Sequence, residues 1–163
     1  MKSRPSATTR KKVVVVLQDR KTILGYLNPS RLGQVDVLDL LTLEGGHREV
    51  GIDEVRSVHF VREFRDQVEI ERKAFFARPK LDGLWVRLRF PDNETLEGLL
   101  PNDLLDLLAN GLQITPPDMN GNTQRIFIPR IALAELKVLG VVGVARRKAP
   151  EKVIMTQPGL FEE

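Results

Sequence analysis

His47 and His59 are the only histidines in the chain, and neither stands at a spacing that holds a metal ion or serves a nucleophile. His47 follows Gly45-Gly46 in a turn. His59 alternates with Val58 and Phe60, which predicts that its ring faces outward. Two carboxylate pairs, Asp36 with Asp39 and Asp103 with Asp106, have the residue types of an acid–base pair. They are more simply solvent-facing positions between leucines. Gly45-Gly46 lacks the following lysine and helix that a phosphate-cradling loop needs. The absence of cysteine removes disulfides, thiolate metal sites and cysteine nucleophiles. No catalytic residue, metal ligand or cofactor follows from this inventory, so the expectation is a protein that is not an enzyme. One group could bind rather than react. Trp85, Arg87 and Arg89 alternate with inward Val86 and Leu88 and so share one side of a strand. Aromatic plus guanidinium on such a face can hold single-stranded nucleic acid by stacking and charge. The competing reading has Trp85 covering an end of the fold, with Arg87 resting on its ring.

The elements that must carry these residues are written twice. Residues 13–27, VVVVLQDRKTILGYL, align without a gap on residues 86–100, VRLRFPDNETLEGLL. Asp19 falls on Asp92, Thr22 on Thr95 and Gly25 on Gly98, while Val55, Val58 and Phe60 match Leu133, Leu136 and Val138. The pattern predicts strands at 12–17, 22–27, within 34–43, 48–52 and 56–61, and again near 84–90, 94–100, 111–116, 124–128 and 135–142. A tight helical turn is expected at 52–55. Residues 102–111 read equally as a short helix capped by Asn102 and ended by Gly111, or as a strand around a bend. What recurs is apolar alternation and turn chemistry. Arg20 and Lys21 become Asn93 and Glu94 in the second copy, so the charged surface diverges while the core pattern stays.

Charge is unevenly placed. The chain of 163 residues is +3 overall, but residues 1–12 hold Lys2, Arg4, Arg10, Lys11 and Lys12 with no acid. With +1 in residues 145–163, the body 13–144 is left net acidic. A folded surface that grips phosphate usually carries its own positive charge. Any RNA binding is therefore expected to be weak and to rest on the basic tails. No apolar run approaches a membrane span, and the start lacks a secretory signal, so a cytoplasmic protein without membrane insertion is expected.

Five short strands with a helical turn before the last resemble the SH3-like and Sm-like small barrels. VVVVLQDRKTILGYL is similar to the start of the first Sm motif, while IDEVRSVHF and IPRIALAELKV are similar to the closing part. The resemblance implies RNA binding. The aspartate and asparagine that follow the glycine in Sm proteins are missing here, as is the Arg-Gly of the second motif. SVHFVREF and NTQRIFIPRIALAEL resemble signatures of an uncharacterised bacterial family with barrels of this type. A third likeness is local. Asn28-Pro29-Ser30-Arg31-Leu32-Gly33 is similar to the loop of PilZ barrels, which bind cyclic di-GMP. That resemblance implies a ligand loop at Asn28, Ser30 and Gly33 with Arg10 upstream. The Arg-x-x-x-Arg that clamps the dinucleotide in that family occurs nowhere in this chain. Asn-Pro-Ser also makes an ordinary turn.

The sequence thus predicts an all-β chain of two tandem SH3-like or Sm-like small barrels related by internal duplication, with short helical turns. The units span 12–64 and 83–144, joined by a connector at 65–82 and flanked by disordered tails at 1–11 and 145–163. Val14 and Val16 on the opening strand, with Leu139, Val141 and Val142 on the last, are more apolar than free surfaces need. They mark an interface between halves or between chains. The expected function is a non-catalytic interaction module for a protein partner or a second copy. The alternatives are an Sm-like RNA-binding protein and a degenerate PilZ-like cyclic di-GMP sensor.

Overall fold

Two hairpin turns at matching positions of the repeat are built from the same hydrogen bonds. Leu17 N–H reaches the Lys21 carbonyl at 2.8 Å, and Phe90 N–H reaches that of Glu94 at 2.9 Å. Asp19 Oδ1 accepts from Lys21 N–H, as Asp92 Oδ1 accepts from Glu94 N–H. Arg20 and Asn93, one position on from the aspartates, both take a positive φ, 72° and 70°. Asparagine tolerates that conformation far better than arginine does.

The computed structural model describes residues 10–65, 72–107, 110–118 and 120–143. Among these the strands are β1 (Lys11–Leu17), β2 (Thr22–Leu27), β3 (Val37–Thr42), β4 (His47–Gly51), β5 (Val55–Val61), β6 (Gly83–Arg89), β7 (Thr95–Leu100), β8 (Gly111–Ile114), β9 (Thr123–Pro129) and β10 (Glu135–Val142). Single 3-10 turns, Ile52–Glu54 and Arg130–Ala132, lead into β5 and β10. A short helix α1 (Leu104–Leu107) occupies part of the ambiguous segment. Asp103, rather than Asn102, caps it by accepting from Leu105 N–H at 2.9 Å. Residues 108 and 109, the basic tail up to residue 9 and the tail from residue 144 lie outside the described residues. No helix among the described residues is long and apolar enough to cross a membrane.

The registers repeat with the sequence. Val13 faces Gly25 and Phe60 across its two ladders, and Val86 faces Gly98 and Val138. The two halves then diverge in what their last strands do. The seven-stranded sheet runs β4-β3-β2-β1-β5-β9-β8, and a three-stranded sheet runs β10-β6-β7. Neither sheet closes into a barrel. The outer edge of β5 is spent on β9 of the second half, pairing Val58 with Phe127 and His59 with Ile126. β7 and β8 are joined only by the bridge between Leu99 and Thr115, beyond which they part around a cavity of about 520 Å³.

Two cores result. Val13, Val15, Leu38, Leu40, Val55 and Val58 pack in the first, together with Phe127 from β9. Val86, Leu88, Leu96, Ile114, Ile126 and Ile128 form much of the second. β9 therefore serves both, with Phe127 on one side and Ile126 and Ile128 on the other. All seven residues of β5 are buried, because its inner face lines the first core and its outer face is covered by the second half.

Gly98 is required by close approach. A Cβ there would lie 2.8 Å from Ile114 Cδ1, 2.9 Å from Ile114 Cβ and 3.2 Å from the Thr115 carbonyl oxygen. Gly98→Val is expected to cost about 1–3 kcal/mol by overpacking. Thr95→Val, at an exposed position of the same strand, should stay within about 0.5 kcal/mol. Thermal melts of the two variants check this, and equal midpoints would show that the repeated glycine is incidental.

Candidate functional site

The two matching turns meet, and their diverged residues are what join them. Arg20 of the first turn reaches Asp92 at 2.5 Å and Glu94 at 3.2 Å in the second. Arg56 on β5 reaches the same carboxylates, at 3.2 Å for Asp92 and 3.0 Å for Glu94. Its guanidinium lies 3.9 Å from the centre of the Phe90 ring. Arg56 is buried, so these partners and the ring supply the contacts it loses to desolvation. The hydrogen bond from Arg20 and its positive field hold Glu94 below the usual carboxylate range. The Glu94 backbone N–H, then Arg56 and Arg20, do the same for Asp92.

Behind this ion cluster, Ser57 Oγ and His59 Nε2 lie 2.9 Å apart, both buried. His59 does not face outward as alternation predicts. It points away from the first core, but that side of β5 looks onto Leu96, Ile126 and Ile128 of the second half across a cavity of about 180 Å³. Burial lowers its pKa to about 4, so the ring is neutral at physiological pH, and Nδ1 has no hydrogen-bond partner among the described residues. A serine and an imidazole in contact have the residue types of a nucleophile and its base. Among the described residues no third group orients the imidazole.

Trp85, Arg87 and Arg89 do share one side of β6, and each is engaged within the chain. Trp85 Nε1–H donates to Glu97 Oε1 at 2.9 Å, and the indole meets the Phe75 ring edge-on at 6.3 Å between centroids. Arg87 lies 3.4 Å from the other oxygen of Glu97, and Arg89 lies 3.8 Å from Glu135. Glu97 is the organising group. Its carboxylate is buried on β7 and also accepts from Phe75 N–H at 3.2 Å, while its own N–H donates to the Lys73 carbonyl at 2.7 Å. It clips residues 73–75 onto the sheet. The repeat alignment contains a signal for this: Val14 pairs with Leu24, and the matching positions in the second copy are Arg87 and Glu97. Glu97→Ala is expected to cost about 1–3 kcal/mol by leaving the Trp85 and Phe75 donors unpaired. The intrinsic fluorescence of Trp85, the only tryptophan, should shift as its N–H loses the carboxylate. An unchanged emission spectrum and melting point would refute that role.

The segment that the clip holds, residues 72–81, carries Arg72, Lys73, Arg78 and Lys80 and no acid. It crosses the sheet toward β10, where Arg78 Nη2 donates to the Val141 carbonyl at 2.6 Å. Phe75, Phe76, Leu81, Leu99 and Pro117 line an apolar groove of about 330 Å³ rimmed by Arg72, Arg78 and Lys80. Phe76 is 84% exposed, with the Arg72 guanidinium 4.6 Å from its ring centre. From sequence alone this stretch reads only as a charged connector.

The remaining expected residues are scattered. Arg10 and Asn28 line one pocket of about 220 Å³ with Leu27, Leu32 and Asp39. Asn28 Oδ1 is occupied by Ser30 N–H at 3.0 Å, capping the 3-10 turn Pro29–Arg31, and Gly33 lines the separate 520 Å³ cavity. Asp39 pairs with His47 at 3.0 Å on the surface. Of the interface set, Val14 is buried and Val16 lines the 180 Å³ cavity against the second half. On β10, Val142 is buried, Leu139 is half-buried and Val141 is exposed.

These features define a helix-poor, all-β protein whose two halves are tied by a shared strand and an ion cluster. The chain belongs to the DUF6982 family, a family of unknown function, whose profile matches residues 9–140. It is also similar to segments of proteins named DNA ligase. Identity is 33% over 81 residues for the ligase of Xanthomonas euvesicatoria pv. vesicatoria and 35% over 81 residues for that of Xanthomonas campestris pv. campestris. The match covers 49% of this chain but spans only about 9% of the length of each ligase. No solved structure matches the chain.

Proposed function

We propose that this chain is a non-catalytic interaction module built from two SH3-like or Sm-like units, and that its partner is a protein. The observation that carries the reading is how the side chains are distributed. Groups that could have bound or reacted are paired inside the chain: Trp85, Arg87, Arg20, Arg56 and Ser57 each have a partner. Large apolar side chains instead stand exposed: Phe76, Leu81, Val138 and Val141 around β10 and the 72–81 segment, and Leu104 and Leu105 on α1. A monomer gains nothing from leaving these in water, whereas a partner surface would cover them.

A second reading, binding of single-stranded nucleic acid, is favoured by one observation. Phe76 and the cations Arg72, Arg78 and Lys80 form an aromatic and basic strip, the composition that stacks bases and holds phosphates. Partial similarity to proteins named for ligating DNA is compatible with it. One experiment separates the two. The tagged chain and its Phe76→Ser/Val141→Ser variant are used for affinity capture from source cells, with and without nuclease. Under the module reading, a protein set is retained through nuclease treatment and lost in the variant. Identical captures from both chains would refute it, and captures that disappear with nuclease would transfer the assignment to nucleic acid.

A further inference from the structure

The two halves treat their last strands differently, and the difference leaves an opening. β5 lies between β1 and β9, so both of its edges are paired, and Phe127 from β9 fills the first core opposite Val58. β10 holds the matching place in the second half. It pairs with β6 on one edge, and no strand pairs its other edge among the described residues, where only the Val141 carbonyl is held, by Arg78, while the stretch 135–139 is left open. Burial follows the pairing. Val58 is 0% exposed and Phe60 7%, whereas Val138, the counterpart of Phe60, is 53% exposed. Val138 stands opposite Val86, a fully buried core residue, so it lies on the core side of β10. The second half therefore lacks the strand, and the large apolar side chain, that β9 gives the first.

Among the outer strands that a second copy offers, β4 is the counterpart of β9, and it has the wrong chemistry. Gly51 and Pro129 each precede the 3-10 turn of their half, which aligns Glu49 with Phe127 and Arg48 with Ile126. In the register of the β5–β9 ladder, an incoming β4 would set Glu49 against Leu136 and Arg48 against Lys137. The first pairs a carboxylate with an apolar core position, and the second opposes like charges. Charged edge strands of this kind discourage strand addition.

Resting on the module reading, we infer that the free edge of β10 accepts an extended strand from a partner protein, added antiparallel. The strand carries a large apolar or aromatic residue opposite Leu136 and a neutral or acidic one opposite Lys137. Main-chain hydrogen bonds along the edge give affinity, and the apolar anchor gives register.

The chain itself supplies a probe. A labelled peptide of residues 122–131, containing β9, is titrated into full-length protein and followed by fluorescence anisotropy. Saturable binding is expected, with loss in Val138→Lys, whose thermal midpoint is measured alongside to show that the variant folds. A peptide with Phe127→Glu should bind about tenfold more weakly or worse, since a single buried anchor dominates such contacts. A peptide of residues 46–52, containing β4, should not bind. Absence of binding overturns the inference, and so does binding that Val138→Lys leaves unchanged. Sedimentation of the chain alone completes the test: a dimer abolished by Val138→Lys would give the edge to a second copy and overturn the partner assignment. If the peptide fails while the capture experiment succeeds, only the β10 assignment falls. If both fail, the module reading falls with it.

Discussion

Phe127→Ala is expected to lower the stability of the whole chain by about 3–5 kcal/mol, the range for removing a buried aromatic side chain. Phe127 is 2% exposed and belongs to the second half by sequence, yet it packs in the core of the first. The cavity would open beside Val58 on β5, beneath the ladder that joins the halves. If the halves stabilise each other, damage to the first core must be felt in the second. Trp85, on β6 of the second half, reports on this directly. In denaturant unfolding, its fluorescence and the far-ultraviolet circular dichroism should share one midpoint in the wild type. In Phe127→Ala both midpoints should fall together. Phe127→Leu should lose less, since most of the volume is kept. A Trp85 transition that stays in place while circular dichroism reports an early phase would show two independent units. The same coupling implies that residues 1–64 alone will not melt cooperatively, because β5 would lose the strand covering its edge.

Local structure was legible because it is written in short-range chemistry. Strand alternation, the aspartate-bearing turns and the recurring glycine placed all ten strands to within a few residues, and the matching registers follow from the alignment. What remained hidden depends on contacts between elements far apart in the chain. Alternation says that His59 turns away from Val58, but not what lies on that side. The outward valines Val14 and Val16 hinted that the face is covered, and the same argument would have buried His59 and Ser57 as neighbours across β1 and β5. Nothing local announces that β5 will spend its edge on β9. That pairing is why the sheets stay open where small closed barrels were expected. The face of Trp85 and Arg87 stayed between two readings for a related reason. A covering role for Trp85 was legible, but Glu97, a lone acid on the paired strand, was not read as the partner of Trp85 and Arg87. The 72–81 segment has no periodicity, so its position over the sheet could not be inferred from pattern.

Acid should weaken the fold before the carboxylates titrate, and His59 is the reason. In the unfolded chain its imidazole takes a proton near pH 6.5, while burial holds the folded value at about 4. Between those values the unfolded state binds a proton that the native state refuses, so stability falls as pH falls. From pH 7 to pH 4 the loss should approach about 3 kcal/mol, since each tenfold difference in proton affinity between the two states is worth about 1.4 kcal/mol. Below pH 4 both states bind the proton and His59 adds nothing further. Asp92 and Glu94 act in the same direction but lower. Their folded values are depressed by backbone and arginine partners, so their contributions are lost only as pH falls from their ordinary values, 3.8 and 4.5, through the folded ones. The window from pH 6.5 to about 4.5 therefore isolates the histidine. Urea unfolding across that window should show a clear slope in the wild type. His59→Gln keeps a polar partner for Ser57 and carries no titrating proton, so its stability should stay nearly level there. Parallel slopes for the two proteins would mean that the imidazole is already exposed to water, and that the seam between the halves is open rather than packed.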